Sequence, residues 1–380
     1  MIKSIIASTR EIDDAQAAVA EILGTLDLEK NLLKNSLGII SCFSEFEGTG
    51  VLKAICDALP FDCIGATTCV CAVNGEIDQM IFVITVLTSD DCDFKTLSIP
   101  LHEDSYRESI NVSVSSLIDS CPDKPALILS YFPLMQTLGG DSILEALDFA
   151  TDKLPLFGPV AMDHTIDHST EGTIHNGNFS RNTLVLGTVC GPVKVSFETA
   201  ALNDDKIRKQ KAVITKSKEN ILMGINGKTV HEYLTELGLD EVGFVDLIPF
   251  IVDNNDGTKP VARVVFTFTP EGFAVCGGTM PEGSTLSIGS VDAADVLMTA
   301  ESAFKPFAEK DSVVIAYSCA ARYVVLGMNV TKEAQILASA ANDLNIHFAY
   351  SGGEICPHSD PQGGLVNCFH NYSIVFCKLV

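Results

Sequence analysis

The sequence predicts a mixed α+β protein, an α/β chain of two similar-sized domains, each with a largely buried mixed β-sheet flanked by helices. Three observations carry that expectation. The chain has 380 residues, more than one core serves at roughly 150 residues per domain. Apolar residues make up 47% and charged residues 19%, the balance of a packed chain rather than a disordered one. Short β-rich runs alternate with stretches at helical spacing, as strands covered by helices do.

Taken in order, Ile5-Ile6-Ala7 reads as a strand. Asp13 to Leu26, rich in Ala, Glu, Ile and Leu behind an acidic first turn, reads as a helix. Leu37 to Phe43 is a second strand, Gly48 to Leu59 a helix closed by Pro60, and Asp62 to Gly65 a strand running into Ala66-Thr67-Thr68. Met80 to Thr88 is a continuous β-rich run. Asn182 to Val189 and Val193 to Thr199, split by Cys190-Gly191-Pro192, read as an antiparallel hairpin. From Asn203 to Lys211 the apolar periodicity gives way to charge, the composition of an exposed connection. The domain boundary is expected there, giving residues 1–210 and 211–380. Beyond it, Asn220 to Ile225 with Asn226-Gly227 predicts a hairpin turn, and His231 to Leu237 before Gly238 a short helix. Val261 to Thr267, Gly272 to Cys276, Val313 to Ser318 and Tyr372 to Phe376 read as strands. Asp292 to Lys305 and Glu333 to Ala341 read as helices, so hairpins and crossovers mix in this half.

The formal net charge is −24, and such a field repels a phosphate backbone or an anionic membrane surface. Neither nucleic acid nor membrane insertion is expected. No apolar run approaches the roughly 18 residues a spanning helix needs. Met1-Ile2-Lys3 runs directly into Ser4 and the acidic Glu11-Ile12-Asp13-Asp14, and the 13 cysteines follow no framework spacing. These features predict a cytoplasmic protein with reduced thiols. Neither GxxxxGK[ST] nor GxGxxG after a strand is present, and Gly277-Gly278 and Gly352-Gly353 read as turn glycines with positive φ.

Three segments carry candidate chemistry. Tyr317-Ser318-Cys319-Ala320-Ala321-Arg322 places a thiol and a guanidinium just beyond an apolar strand, where a planar fork can meet an anion. The alternative is a small buried thiol and an Arg paired with an internal carboxylate. Tyr350-Ser351-Gly352-Gly353-Glu354 breaks a strand with two glycines and presents a carboxylate that can receive an ammonium or pair with Arg322. Asn367-Cys368-Phe369-His370-Asn371 sets an imidazole and an amide before the last strand, where a sheet-end hydrogen bond is the plainer role.

Together these segments resemble the C-terminal half of the FIST family. The resemblance rests on Ser318, Cys319 and Arg322, then Gly353, Glu354, Ile355 and Pro357, then His370 and Asn371. Pro249 after Leu247-Ile248, Arg263, and Pro281-Glu282-Gly283 before Leu286 also match, over residues 215–380. In the N-terminal half Gly65-Ala66-Thr67-Thr68 is similar to the family's Gly-x-Thr-Thr turn, with Cys69-Val70-Cys71 replacing the usual small residue, Gly and Glu. Phe157-Gly158-Pro159-Val160-Ala161 is similar to its later Gly-Gly turn, with Pro159 in place of a glycine. The resemblance implies a FIST_N-like domain over 1–210, a FIST_C-like domain over 211–380, and a sensor of small molecules such as amino acids. It implies a separate signalling protein as output partner, because no output module is attached. The ligand-binding residues in this reading are Cys319, Arg322, Gly353, Glu354, His370 and Asn371, with Thr67 and Thr68 from the N-terminal turn.

Enzyme readings compete with a binder. Cys356-Pro357-His358 and Cys368-Phe369-His370 form two Cys-x-His pairs whose i and i+2 residues share a strand face, so four ligands could converge on zinc. Their spacing matches no Cys-x-x-Cys pattern, so no metal and no cofactor is expected. His164, His168 and His175 with Asp163 and Asp167 form a second cluster in a Gly-rich loop, without the one-face geometry of His-x-x-x-His. The remaining alternative is a thiol nucleophile, Cys319 activated by His370, with Arg322 binding a carboxylate.

Overall fold

The computed structural model describes residues 2–135, 138–165, 168–239, 248–308, 312–341, 344–360 and 362–380. Among them are four sheets, and the mixed α+β class holds. Three sheets have six strands each and share one plan. A parallel pair lies inside each: Asn35–Cys42 with Cys63–Thr67, Leu127–Tyr131 with Leu156–Pro159, and Val313–Cys319 with Ile346–Ser351. The neighbours on either side of that pair run antiparallel. The crossings that make the strands parallel carry the helices Val51–Asp57, Gly140–Thr151 and Lys332–Ala341.

The hairpin that follows each parallel pair leaves its own sheet and completes another. Val70–Val73 pairs with Ile346–Ser351, Thr173–His175 with Cys63–Thr67, and Glu354–Ser359 with Leu156–Pro159. The three sheets are thereby tied in a closed cycle. Two of the exchanged hairpins turn on Asn74-Gly75 and Asn176-Gly177, with φ of 52° and 81° in one and 51° and 75° in the other. Paired positive φ is what an Asn-Gly two-residue turn supplies.

Strand burial explains this closure. In Val313–Cys319 the side chains of Val313, Ile315 and Tyr317 enter a core shared by all three sheets. Val314 and Ala316 face outward beneath Ala300, Phe304 and Leu337 of the covering helices. Leu127–Tyr131 behaves alike, with Leu127, Leu129 and Tyr131 inward and Ile128 outward. Period-two alternation with both faces apolar makes each strand a continuous hydrophobic run. Polar groups also bridge this core: His347 lies between the hydroxyls of Ser41 and Thr85, 2.9 Å from each. Burial pushes its pKa down to about 3, so it stays neutral.

The fourth sheet is built from strands between Ala212 and Thr229 and between Phe250 and Ile288, and has its own core. Its end strands, Val261–Arg263 and Val265–Phe268, are separated in the chain by Val264 alone, so the sheet curls back on itself. Sequence reading merges these two strands into one. It also makes a hairpin of residues 182–199, which the structure corrects. Thr183–Cys190 pairs with Asp93–Pro100 and Leu127–Tyr131, whereas Val195–Ala200 pairs with Ile374–Leu379 in another sheet. Gly191 and Pro192 carry the chain between sheets instead of reversing it. The expected helix at 48–59 begins later, at Val51, because Gly50 sits at φ 81°. The final strand is Ile374–Leu379, and Tyr372 belongs to the turn before it.

The exposed segment around Arg208–Lys211 leads into the curled sheet, and the division at 1–210 and 211–380 is proposed there. Two six-stranded sheets pair strands from both sides of it. Trypsin is therefore expected to cut first after Arg208, Lys209 or Lys211 and to leave two fragments that co-elute without denaturant. Fragments that separate under native conditions would contradict the shared sheets. A chain resistant there would contradict the boundary.

Candidate functional site

The carboxyl ends of parallel strands are where α/β sheets gather ligand crevices, and here the three hairpin exchanges meet at those ends. Thr68 donates its hydroxyl to the carbonyls of Val70 and Tyr350. The Gly352 amide donates to Val160 at 3.1 Å, and the Met162 amide to Thr67 at 3.1 Å. Thr67 Oγ1 in turn takes the Gly172 amide at 2.9 Å. Three turns distant in sequence, at 67–68, 157–161 and 352–353, thus form one hydrogen-bonded seam. Neither glycine doublet has positive φ. A Cβ on Gly353 would instead meet the Phe369 ring at 2.8 Å, and one on Gly277 the Asn371 Oδ1 at 2.4 Å. Close approach is what requires glycine there.

Glu354 sits in this seam, fully buried, with Ser351 Oγ at 2.9 Å and Ser373 Oγ at 2.7 Å as donors. Burial outweighs those hydroxyls and the field of Arg322, pushing its pKa up to about 8. Cys319 is buried at the start of the helix Ala320–Leu326. The amides of Ala321 and Tyr372 point at its sulfur, but burial and the charge of Glu354 hold the thiol well above its usual range. Asn371 donates from Nδ2 to the His370 carbonyl at 3.0 Å, while its buried Oδ1 has no hydrogen-bond partner. Tyr372 beside it holds φ 56°, a strained position for a bulky residue.

Arg322 is placed differently from the sequence expectation of an anion-binding fork. Its donors go to Glu333 Oε1 at 2.7 and 3.2 Å, to Thr299 Oγ1 at 3.2 Å and to the Val296 carbonyl at 2.9 Å. Ser318 and Tyr350 hydroxyls take the other Glu333 oxygen, at 2.9 and 2.8 Å. This is a closed, buried ion-pair network, and it makes Arg322 part of the framework. Glu333 is the functional neighbour that sequence reading missed: it lies eleven residues on, at the start of a helix read only for its apolar spacing.

Two descriptions of known domains match this chain: the FIST N domain over residues 36–228 and the FIST C domain over 228–357. The chain belongs to the FIST family. FIST domains are in general sensory, ligand-binding domains of signal transduction. Cys319, Arg322, Gly353 and Glu354 fall within the FIST C match and Thr67 and Thr68 within the FIST N match, whereas His370 and Asn371 lie beyond it. No curated protein matches the chain. A solved cyanuric acid hydrolase from A. caulinodans superimposes over 99% of this chain and 98% of its own, at TM-score 0.39 and 8% identity. That likeness carries no chemistry across. Among the described residues no helix is long and apolar enough to cross a membrane.

The other expected groupings fare unevenly in this FIST chain. His370 donates from Nε2 to the Cys356 carbonyl at 3.0 Å, and burial pushes its pKa down to about 3. No hydrogen bond joins its ring to the Cys319 thiol among the described residues. The second histidine cluster is dispersed: His164 stacks on Phe43, His168 faces Asp163 at 3.4 Å, and His175 meets Thr96 at 2.9 Å. Asp167 lies outside the described residues. Of the two Cys-x-His pairs, His358, Cys368 and His370 bring their donor atoms within 4.8 Å of one another, while the Cys356 sulfur turns toward the Pro357 and Glu198 carbonyls.

Two outcomes follow from these environments. Between the ordinary 4.5 and about 8, folded Glu354 holds a proton that the unfolded chain has released, so stability falls as pH rises through that window. Glu354→Gln is expected to flatten the decline in Tm between about pH 5 and 8, read by thermal unfolding; an unchanged slope would show that Glu354 is ionised in the fold. Arg322→Ala leaves Glu333 buried without its cation and is expected to cost about 3–5 kcal/mol, measured as a lower denaturant midpoint at constant slope. A loss below about 1 kcal/mol would mean that the network is not closed.

Proposed function

We propose that this FIST protein is a cytoplasmic sensor that binds an amino acid or similar small zwitterion at the seam and passes its bound state to a separate signalling protein. The observation that supports this reading is Glu354, a buried carboxyl without a paired cation among the described residues, next to Gly353, against which the Asn371 side chain packs. An ammonium group is a donor that such a carboxyl accepts, and a charge-assisted bond to a buried ion is worth about 1.5–3 kcal/mol. The amide of Ala321 points at the Cys319 sulfur, a weak acceptor, and is the donor offered to the ligand carboxylate. Gly353 keeps the backbone close at this point, Cys319 and His370 form the walls, and Thr67 and Thr68 hold the seam closed from the N-terminal side. Arg322 contributes its field and the rigidity of its network.

A thermal-shift screen of amino acids and small carboxylates tests this reading. A true ligand raises Tm by mass action, is recovered unchanged, and gives no shift in Glu354→Gln, which preserves the shape of the side chain. An equal shift in that variant would remove the seam as the site. Conversion of a hit to product, abolished by Cys319→Ser, would replace the sensor with a thiol enzyme.

A further inference from the structure

We propose that His358, Cys368 and His370 form a zinc site with an open fourth position, on the exchanged hairpin Glu354–Ser359 and Leu365–His370. The ladder places them. Directly opposed residues of an antiparallel pair share a face, and the register sets Glu354 against His370, Cys356 against Cys368, and His358 against Val366. Residues 354, 356, 358, 366, 368 and 370 therefore look to one side. On that side one donor atom from each of His358, Cys368 and His370 lies within 4.8 Å of the others. His358 Nε2 is 3.9 Å from Cys368 Sγ. A tetrahedral ion with Zn–S about 2.3 Å and Zn–N about 2.0–2.1 Å needs donor separations of roughly 3.3–3.6 Å, so a contraction of about 1 Å at the widest edge completes the site.

The surroundings are those of a ligand set. His370 donates its Nε2 proton to the Cys356 carbonyl at 3.0 Å, which leaves the lone pair on Nδ1. A metal-bound histidine is oriented in this way, its second ring nitrogen donating to a backbone carbonyl. Two imidazoles and a thiolate suit zinc or cobalt rather than magnesium or calcium. Cys368 is half-buried, which leaves a path for the ion. Asp256 and Asp360 lie within electrostatic range of His358 and add negative field, opposed by Lys259. On binding, the Cys368 thiol becomes a thiolate and its proton passes to the buffer. Three protein donors leave the fourth position to water or to a ligand atom.

The experiment titrates the full metal-free chain with cobalt(II) and follows thiolate-to-cobalt charge-transfer absorption. The expected result is a band that saturates at one ion per chain, is erased by one equivalent of zinc and is accompanied by proton release. The band disappears in Cys368→Ser and persists in Cys356→Ser. Should Cys368→Ser fail to fold, His358→Gln carries the test and lowers cobalt affinity by roughly tenfold or more. The proposal is overturned by a wild-type chain that gives no band at stoichiometric cobalt, by a band that survives Cys368→Ser, or by unchanged affinity in His358→Gln.

Discussion

A strand whose side chains are apolar on both faces has no side to offer to water, and this constraint shapes the molecule. Helices cover one face of each six-stranded sheet, and the other face has to be covered by sheet. With three such sheets the solution is mutual, each contributing alternate residues to one central core. Exchange of the hairpins then closes the cycle through backbone hydrogen bonds, which sheet-on-sheet packing by itself does not provide. His347, held by two hydroxyls from another sheet, fixes how those sheets meet where apolar contacts alone would allow sliding.

The exchange also explains why the polar chemistry collects where it does. A chain crossing from one sheet to another must satisfy its amides and carbonyls away from any ladder, and at the seam it does so with threonine hydroxyls and neighbouring turns. Buried charge there is unequal in its satisfaction. The Arg322–Glu333 pair has partners on every side and belongs to the framework. Glu354 has two hydroxyls and no adjacent cation, and Asn371 has an idle acceptor. A polar group left short of partners costs stability unless something else completes it, which is why the seam and not the ion pair carries the proposed site.

Much of this is legible in the sequence, within limits that have physical causes. Apolar runs such as 313–318 and the helical spacing after Asp292 identify their elements, because burial on a repeating face leaves a period in the sequence. Pairing partners leave no such period. The runs at 182–189 and 193–199 look like a hairpin since adjacency is the commonest outcome, and only the topology shows them in separate sheets. The exchange does leave a trace, the two Asn-Gly turns at 74–75 and 176–177 standing one repeat apart. At the site, Glu354, Cys319 and Asn371 are readable from their residue types at strand ends. The partner of Arg322 is not, because Glu333 lies on the next helix, eleven residues on, and only the fold brings the two together. The His358, Cys368 and His370 grouping escapes spacing rules for the same reason: i and i+2 pairs converge only once a hairpin register sets them opposite one another.

The position of the seam gives the proposed sensor a physical route outward. Tyr372, strained at φ 56°, packs with Ile251, Ala262 and Val264 of the curled sheet and against Ala321 and Val325 of the helix after Cys319. Asn371 presses on Gly277 of the same sheet region. A ligand drawing on the Asn371 side-chain carbonyl would act on a turn that touches the seam on one side and the curled sheet on the other. It also acts on protonation. Glu354 holds its proton near neutral pH, and an ammonium at the proposed site would favour the carboxylate, so binding there would release a proton and be linked to pH. Because coupling requires differential interaction with two states and not distance alone, a strained turn, an idle acceptor and a carboxyl poised between two charges together supply states that a ligand can tell apart.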